Sequence, residues 1–288
     1  MSPGGRAEGM ARLRRAIAEI EAEAGPAGIR PVAARAARRL PLSPAFDSVL
    51  GGGLADDSLH EIAPTQASDG AAAMAFALAL AARFLDRRPL SALLIGEGFA
   101  DQESGALYGP GLIAHGLPLS RLVFVNAPDA ALALWAMEEA LKCGAPAAVV
   151  GEIWSLKGYG LAASRRLLLA ARKGRTPALL ILSSAYGQAE RLSSAAETRF
   201  EIAAAPSVRL KAAAGRDLPG PFACGARLVK ARLARAGPEG PPRAFDAERV
   251  IRLEWRSQDN QFEELAFGDP AISLPVAAAA RDRPRAAS

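Results

Sequence analysis

Between residues 59 and 182 short apolar runs alternate with longer helical segments, and this alternation restricts the fold more than anything else in the chain. The runs at 91–95, 122–125, 147–150 and 178–182 are too short for helices and lack the polar alternation of half-exposed strands. A further strand is expected at 59–62. Segments 71–85, 108–115, 130–142 and 160–172 read as helices, with Asp129 and Gly144 capping the third. Strands separated by helices imply βαβ units and a parallel sheet. Uninterrupted apolar strands agree, because a parallel sheet is covered on both faces. After Ala203 the pattern changes. Segments 207–211, 226–233 and 249–255 alternate apolar with charged residues, as half-exposed antiparallel strands do. The Gly237-Pro238-Glu239-Gly240-Pro241-Pro242 segment reads as a hairpin connection. The fold class expected is therefore α/β, a mainly parallel sheet flanked by helices with an antiparallel C-terminal hairpin.

Residues 46–73 have the frame of a phosphate-binding loop. Phe46-Asp47-Ser48-Val49-Leu50-Gly51-Gly52-Gly53-Leu54 reads as a glycine turn leading towards the strand Leu59-His60-Glu61-Ile62. A loop and a long apolar helix follow. The working pattern is G-x-x-x-x-G-K-[ST], whose Lys reaches the outer phosphates and whose hydroxyl holds magnesium. With Ala63-Pro64 opening the loop, and Ser68 within it, the Lys position falls on Asp69 and the hydroxyl position on Gly70. With Gly70 as the second glycine, those positions are Ala71 and Ala72. Neither register supplies a cation or a magnesium ligand. At about 4 Å and an effective dielectric of about 20, one like-charge pair costs about 4 kcal/mol. In the first register an attraction of that size becomes a repulsion.

Charge is unevenly spread over the 288 residues. Residues 1–45 carry net +4, residues 46–204 net −3 and residues 205–288 net +4. Basic flanks around a slightly acidic centre suit either a solvated surface or a nucleic-acid contact. Residues 8–24 have Met10, Leu13, Ile17 and Ile20 at helical spacing, and residues 32–40 suggest a short basic helix. Arg83 and Asp86 close the longest apolar run before it reaches a membrane-span length, so no membrane is expected. The N-terminal segment lacks the apolar stretch of a secretory signal. Cys143 and Cys224 read as buried free thiols of a cytoplasmic protein.

The order of these parts resembles the RecA core. The 46–53 turn, the Leu59-His60-Glu61-Ile62 strand, the alternating βα units and the Arg227-Leu228-Val229-Lys230 strand all stand in matching order. More narrowly, the chain resembles the ImuA family, RecA-like accessory proteins of bacterial damage-induced mutagenesis. The motifs that carry this are Phe46 to Leu54, the Leu59-His60-Glu61-Ile62 strand and the loop without Lys. With them goes the ending Leu228-Val229-Lys230-Ala231-Arg232-Leu233-Ala234-Arg235, followed by Leu253-Glu254-Trp255. The resemblance covers about residues 40–256. It implies work beside an ImuB-like Y-family polymerase homologue and an error-prone C-family polymerase in translesion synthesis, with ties to RecA itself.

The chemistry of a RecA-type ATPase is incomplete. Its magnesium-holding acid would end a core strand, but residues 147–150 are followed by Gly151, with Glu152 one residue late. Its water-activating Glu is nearest in Glu97, out of register, and its polar sensor is replaced by Ser183-Ser184. Without the loop Lys there is little for such carboxylates to act on. No catalytic residue, metal or cofactor is expected. His60 reads as a packed or hydrogen-bonded residue, and Trp135 and Trp154 as packing. The expected organisation is a basic helical appendage at 1–43, a RecA-like core at 44–256 and a partly disordered tail at 257–288. Candidate contacts to a partner or to DNA are Arg227, Lys230, Arg232 and Arg235 on the hairpin, Trp255 as an exposed anchor, and Leu13 and Ile17 on the N-terminal helix. The function expected is a non-hydrolysing scaffold that recruits a translesion polymerase complex. Two other readings stay open, an active RecA-like ATPase and a damage-induced division inhibitor that binds a tubulin-like protein.

Overall fold

The computed structural model describes residues 38–99, 103, 105–207, 210–211, 217–218, 220–232 and 246–265. All of them lie in the second of two compact units, Arg38–Ser288; the first is Met1–Ala37. The expected helices at 8–24 and over most of 32–40 therefore lie outside the described residues, as do Leu13, Ile17 and Arg235.

The elements in chain order are β1 (Arg39–Leu40), α1 (Pro44–Leu50), β2 (Leu54–Ala55), β3 (Leu59–Pro64), α2 (Gly70–Arg87), β4 (Ala92–Glu97), α3 (Gly109–Ala114) and β5 (Leu122–Ala127). Then come α4 (Ala130–Cys143), β6 (Ala148–Ile153), α5 (Leu161–Gly174), β7 (Ala178–Leu182) and β8 (Thr198–Ala204). The short strands β9 (Leu210–Lys211) and β10 (Asp217–Leu218) pair with each other. The last strands are β11 (Ala223–Ala231), β12 (Val250–Arg256) and β13 (Gln261–Glu264).

Nine strands form one sheet in the order β13-β12-β11-β8-β3-β7-β6-β4-β5. From β8 to β5 every pairing is parallel; β11, β12 and β13 join antiparallel. This is the α/β arrangement that the alternation of runs predicts: crossover βα units first, a terminal antiparallel hairpin last. Helices α1, α2 and α3 pack on one face, with Phe76, Phe200, Trp255 and Phe262 at its centre. Helices α4 and α5 pack on the other, around Leu134, Met137, Leu141 and Leu167. β3 is buried along its whole length, as a central parallel strand must be. By length and composition α2 could cross a membrane, but here it is the central core helix, two-thirds buried.

The local capping logic holds at α4. The Asp129 carboxylate accepts from Leu132 N at 2.8 Å, and Gly144 ends the helix in the left-handed conformation. Three features differ from the sequence reading. The 46–53 segment is not only a glycine turn, since Pro44–Leu50 forms a helix first. Pro44 suits its opening position and Gly51 its left-handed end. Residues 39–40 are extended and pair with β2 rather than closing a helix. The sheet also continues past the expected core boundary at 256, because Phe262 pairs beside Trp255 and packs on it at 4.9 Å between ring centroids.

Gly53 is a glycine that its surroundings dictate outright. Its φ is +118°, and an added Cβ would lie 2.1 Å from the Leu40 carbonyl oxygen. The β1–β2 ribbon can close only if this position lacks a side chain.

Candidate functional site

The frame of a phosphate loop is present in three dimensions. β3 ends at Pro64, a 3-10 turn covers Ala67–Asp69, and α2 starts at Gly70. A helix N-terminus of this kind ordinarily offers free N–H groups and a partial positive charge to a phosphate. Here the protein places its own carboxylate there. Asp69 stands at the N-cap of α2 and is buried, yet it makes no bond to its own helix. Its Oδ1 instead accepts from Ala204 N at 3.0 Å, at the end of β8. Thr65 N donates to Ile202 O at 2.9 Å alongside. The loop is thus stitched to β8 at both ends. Ala63 and Pro64 are buried within β3, and Ser68 is exposed.

The two carboxylates nearest to catalytic positions are also structurally engaged. Glu97, at the end of β4, accepts from Trp154 N at 2.7 Å and Ser155 N at 3.1 Å through one oxygen. It ties β4 to the segment after β6. Glu152 accepts from Ser183 Oγ at 2.7 Å, and Ser184 Oγ donates to the Trp154 carbonyl at 2.5 Å. Glu97, Glu152, Ser183 and Ser184 do lie at adjoining strand ends, where the RecA order of parts leads one to look for them. Among the described residues no group of His, Cys, Asp and Glu could hold a metal ion.

A buried polar cluster lies beneath the sheet at β3 and β8. The Glu61 carboxylate receives Arg199 Nε at 2.6 Å, Ser194 Oγ at 3.0 Å and the Tyr159 hydroxyl. Arg199 also donates to Ser194 Oγ at 2.8 Å and to the Leu192 and Ala189 carbonyls. Lys230 Nζ closes the cluster on Ser194 O at 2.6 Å. Glu61 and Arg199 are almost wholly buried, so the pair holds only because every charged atom finds a partner. Burial pushes the Tyr159 hydroxyl well above its ordinary value, with the Glu61 charge acting in the same sense. Burial lowers Lys230. A glutamate inside a short, fully buried strand is the sequence signal that could have exposed this cluster.

Next to it, His60 is fully buried. Its Nε2 lies 2.8 Å from the Ala55 carbonyl and its Nδ1 2.8 Å from Thr198 Oγ1. The carbonyl can only accept, so Nε2 donates and Nδ1 accepts from the threonine hydroxyl. Burial lowers its pKa, which agrees with a neutral ring. The reading of His60 as a hydrogen-bonded core residue is what the geometry gives.

The hairpin candidates separate. Arg227 is turned onto Glu201 and Glu190, the latter at 2.7 Å, and is only partly exposed. Lys230 points into the Ser194 cluster, where a β-bulge between Leu228 and Lys230 shifts the register. Arg232 is exposed. Trp255 is not an exposed anchor: it is buried, and its Nε1 donates to His115 O at 3.1 Å. In β12 the alternate positions Ile251, Leu253 and Trp255 share the core face, and Phe262 on the unforeseen β13 covers the third. Trp135, read as packing, is instead 59 % exposed on α4, while Trp154 packs edge-on against Phe99. Cys143 is exposed rather than buried; Cys224 is buried, and desolvation pushes its thiol up to about 12.

No protein-family model matches the sequence. Two curated relatives, both named Protein ImuA and from two strains of Caulobacter vibrioides, are 34 % identical to it over 165 residues. That stretch is 54 % of this chain and 64 % of each relative, so the match spans less than two thirds of the relatives' own length. Among solved structures, the chain is similar to the RadB recombinase, at 17 % identity and a TM-score of 0.46, covering 77 % of this chain and 97 % of that one. It is also similar to SulA from Pseudomonas aeruginosa, at 21 % identity and a TM-score of 0.34, covering 43 % and 96 %. Both scores lie under 0.5, too low to assign a fold by themselves. The sheet order and the sequence relation stand independently of them, and on the matched segment the chain is similar to Protein ImuA.

Proposed function

We propose that this chain is a RecA-like scaffold that does not hydrolyse nucleotide and acts in the DNA-damage response by recruiting an error-prone polymerase complex. The observation that carries the first half is Asp69. A buried carboxylate at the start of α2, bonded to Ala204 N, stands where a nucleotide site needs a cation. Glu97 and Glu152 are bonded into the sheet ends rather than arrayed around a phosphate. A core of this kind acts through its surfaces. The second half comes from the ImuA family relation. The partners it suggests are an ImuB-like Y-family polymerase homologue and an error-prone C-family polymerase, with RecA as a further candidate and a weak DNA contact at Arg232.

The test is genetic. In the source organism, deletion of the gene should abolish mutation induced by ultraviolet light and leave growth and division near normal. Mutation frequency after irradiation is compared in deletion and parent strains. Unchanged induced mutagenesis contradicts the reading. Filamentation on overexpression that maps to a tubulin-like division protein supports the inhibitor alternative instead.

A further inference from the structure

The cleft on the α2 face of the sheet has the chemistry of a ligand site, and it shares Gly70, Ala71 and Glu152 with the degenerate nucleotide frame. Its volume is about 610 Å³, within the range of about 300–1,000 Å³ typical of small-molecule sites. Its floor is two rows of strand residues in register. Phe124, Leu94 and Val150 form an apolar row across β5, β4 and β6. One step along, Asn126 and Glu152 flank Gly96. Gly96 contributes no side chain, and a Cβ built there meets nothing within 4 Å. The gap in the middle of the second row is therefore real space.

The walls are fixed. Gly70, Ala71, Met74, Ala75 and Leu78 recur along one face of α2, and the small ones keep the cleft wide. Opposite stands His115, whose Nε2 lies 2.9 Å from the Ala75 carbonyl. The buried Trp255 holds the His115 backbone and packs on its ring at 5.6 Å. At the mouth, Tyr108 is 73 % and Phe124 53 % exposed, an unusual cost for two large aromatic rings on one rim.

Charge selects the ligand. Among the described residues no Lys or Arg lines the cleft, and Glu152 is the one formally charged side chain there. A phosphate would meet a carboxylate and no counter-charge. We infer that this cleft binds a planar aromatic small molecule that is neutral or cationic, and that it rejects the phosphorylated form of the same ring. The inference goes beyond the recruitment reading and does not depend on it.

The test uses one ring system in two charge states, 2-naphthol and 2-naphthyl phosphate, titrated into the full chain and followed by NMR. Saturable shifts of the Met74 methyl group and the Leu78 backbone with 2-naphthol, at a Kd below about 1 mM, are expected. The phosphate should bind at least about tenfold more weakly. Gly96→Val places methyl groups in the open gap and suits a strand, so it should cut 2-naphthol affinity at least about tenfold with the melting temperature kept. Ala75→Leu, which fills the same space from α2, serves as the second variant should Gly96→Val fold poorly. Absence of saturable shifts, shifts that map elsewhere, equal binding of the phosphate, or filled variants that keep full affinity would each overturn the proposal. Unchanged induced mutagenesis in a deletion strain would contradict the recruitment reading and leave this one standing, so the two failures are distinguishable.

Discussion

At the residue scale the chain is marked by charges held inside it. Arg199 and Glu61 are a buried pair within a saturated network, and their value is asymmetric. Replacing both by apolar groups can be nearly neutral, whereas removing one leaves the other charge without compensation. Arg199→Met should therefore destabilise the protein by about 3–5 kcal/mol, and Glu61→Leu/Arg199→Met by clearly less. Urea unfolding of the two variants checks this; a double variant as unstable as the single would show that the network is more than its pair. His60 gives a pH dependence with a definite sign. Burial holds its folded pKa below the ordinary value of about 6.5. Below that value the unfolded chain takes up a proton that the folded chain refuses. The contribution is thus fully present above about pH 6.5 and is lost as pH falls through the lower folded value. His115 is shifted the same way, again by burial, and adds to the slope. Urea midpoints should drop between pH 7.5 and 5.5, and His60→Gln should flatten the drop. An unchanged slope in that variant would mean that His60 titrates normally.

At the scale of elements, the loop before α2 has become a structural joint. Asp69 Oδ1 and Thr65 N hold it to β8 from either side of the 3-10 turn. Asp69→Lys/Gly70→Thr restores the residue types of a phosphate loop but removes an acceptor from Ala204 N and brings an ammonium into a buried place. The variant should lose about 1.5–3 kcal/mol, the scale of a hydrogen bond to a charged group, and should show no ATP turnover in a phosphate-release assay. Robust turnover would show that Glu97 and Glu152 form working machinery after all. The elements also show where sequence was informative. The apolar runs and the Asp129 and Gly144 caps are local signals; they placed β4, β7 and α4 within a residue or two and ended β6 three residues early. The α1 helix was hidden because Gly51-Gly52-Gly53 dominates its neighbourhood, although Pro44 was an opening signal. β13 was hidden because Gln261-Phe262-Glu263-Glu264 carries a single apolar residue, Phe262, and is a strand only through its pairing with β12.

At the scale of the whole molecule, a mainly parallel sheet with helices on both faces keeps the order of parts of a nucleotide-binding core while its strand ends bond to one another. The missing Lys and hydroxyl were legible in the sequence, because a motif is defined by residue types at fixed spacing. What fills their place was not. Asp69 reaches a residue 135 positions away, and Glu97 a backbone 57 positions away; only the sheet order brings these together. The same distance effect misled the reading of Trp255, whose cover comes from His115 and Phe262. Surfaces were read least well, since Arg227 and Lys230 look solvent-facing in an alternating strand yet bond inward across β8.

The central claim is that this frame holds no nucleotide. The most direct measurement is calorimetric titration of the full chain with ATP and magnesium. No saturable heat should appear at ligand concentrations where a Kd of about 100 μM, or about −5.5 kcal/mol, would be detected. A Kd tighter than that, lost on mutation at the α2 N-terminus, would contradict the account.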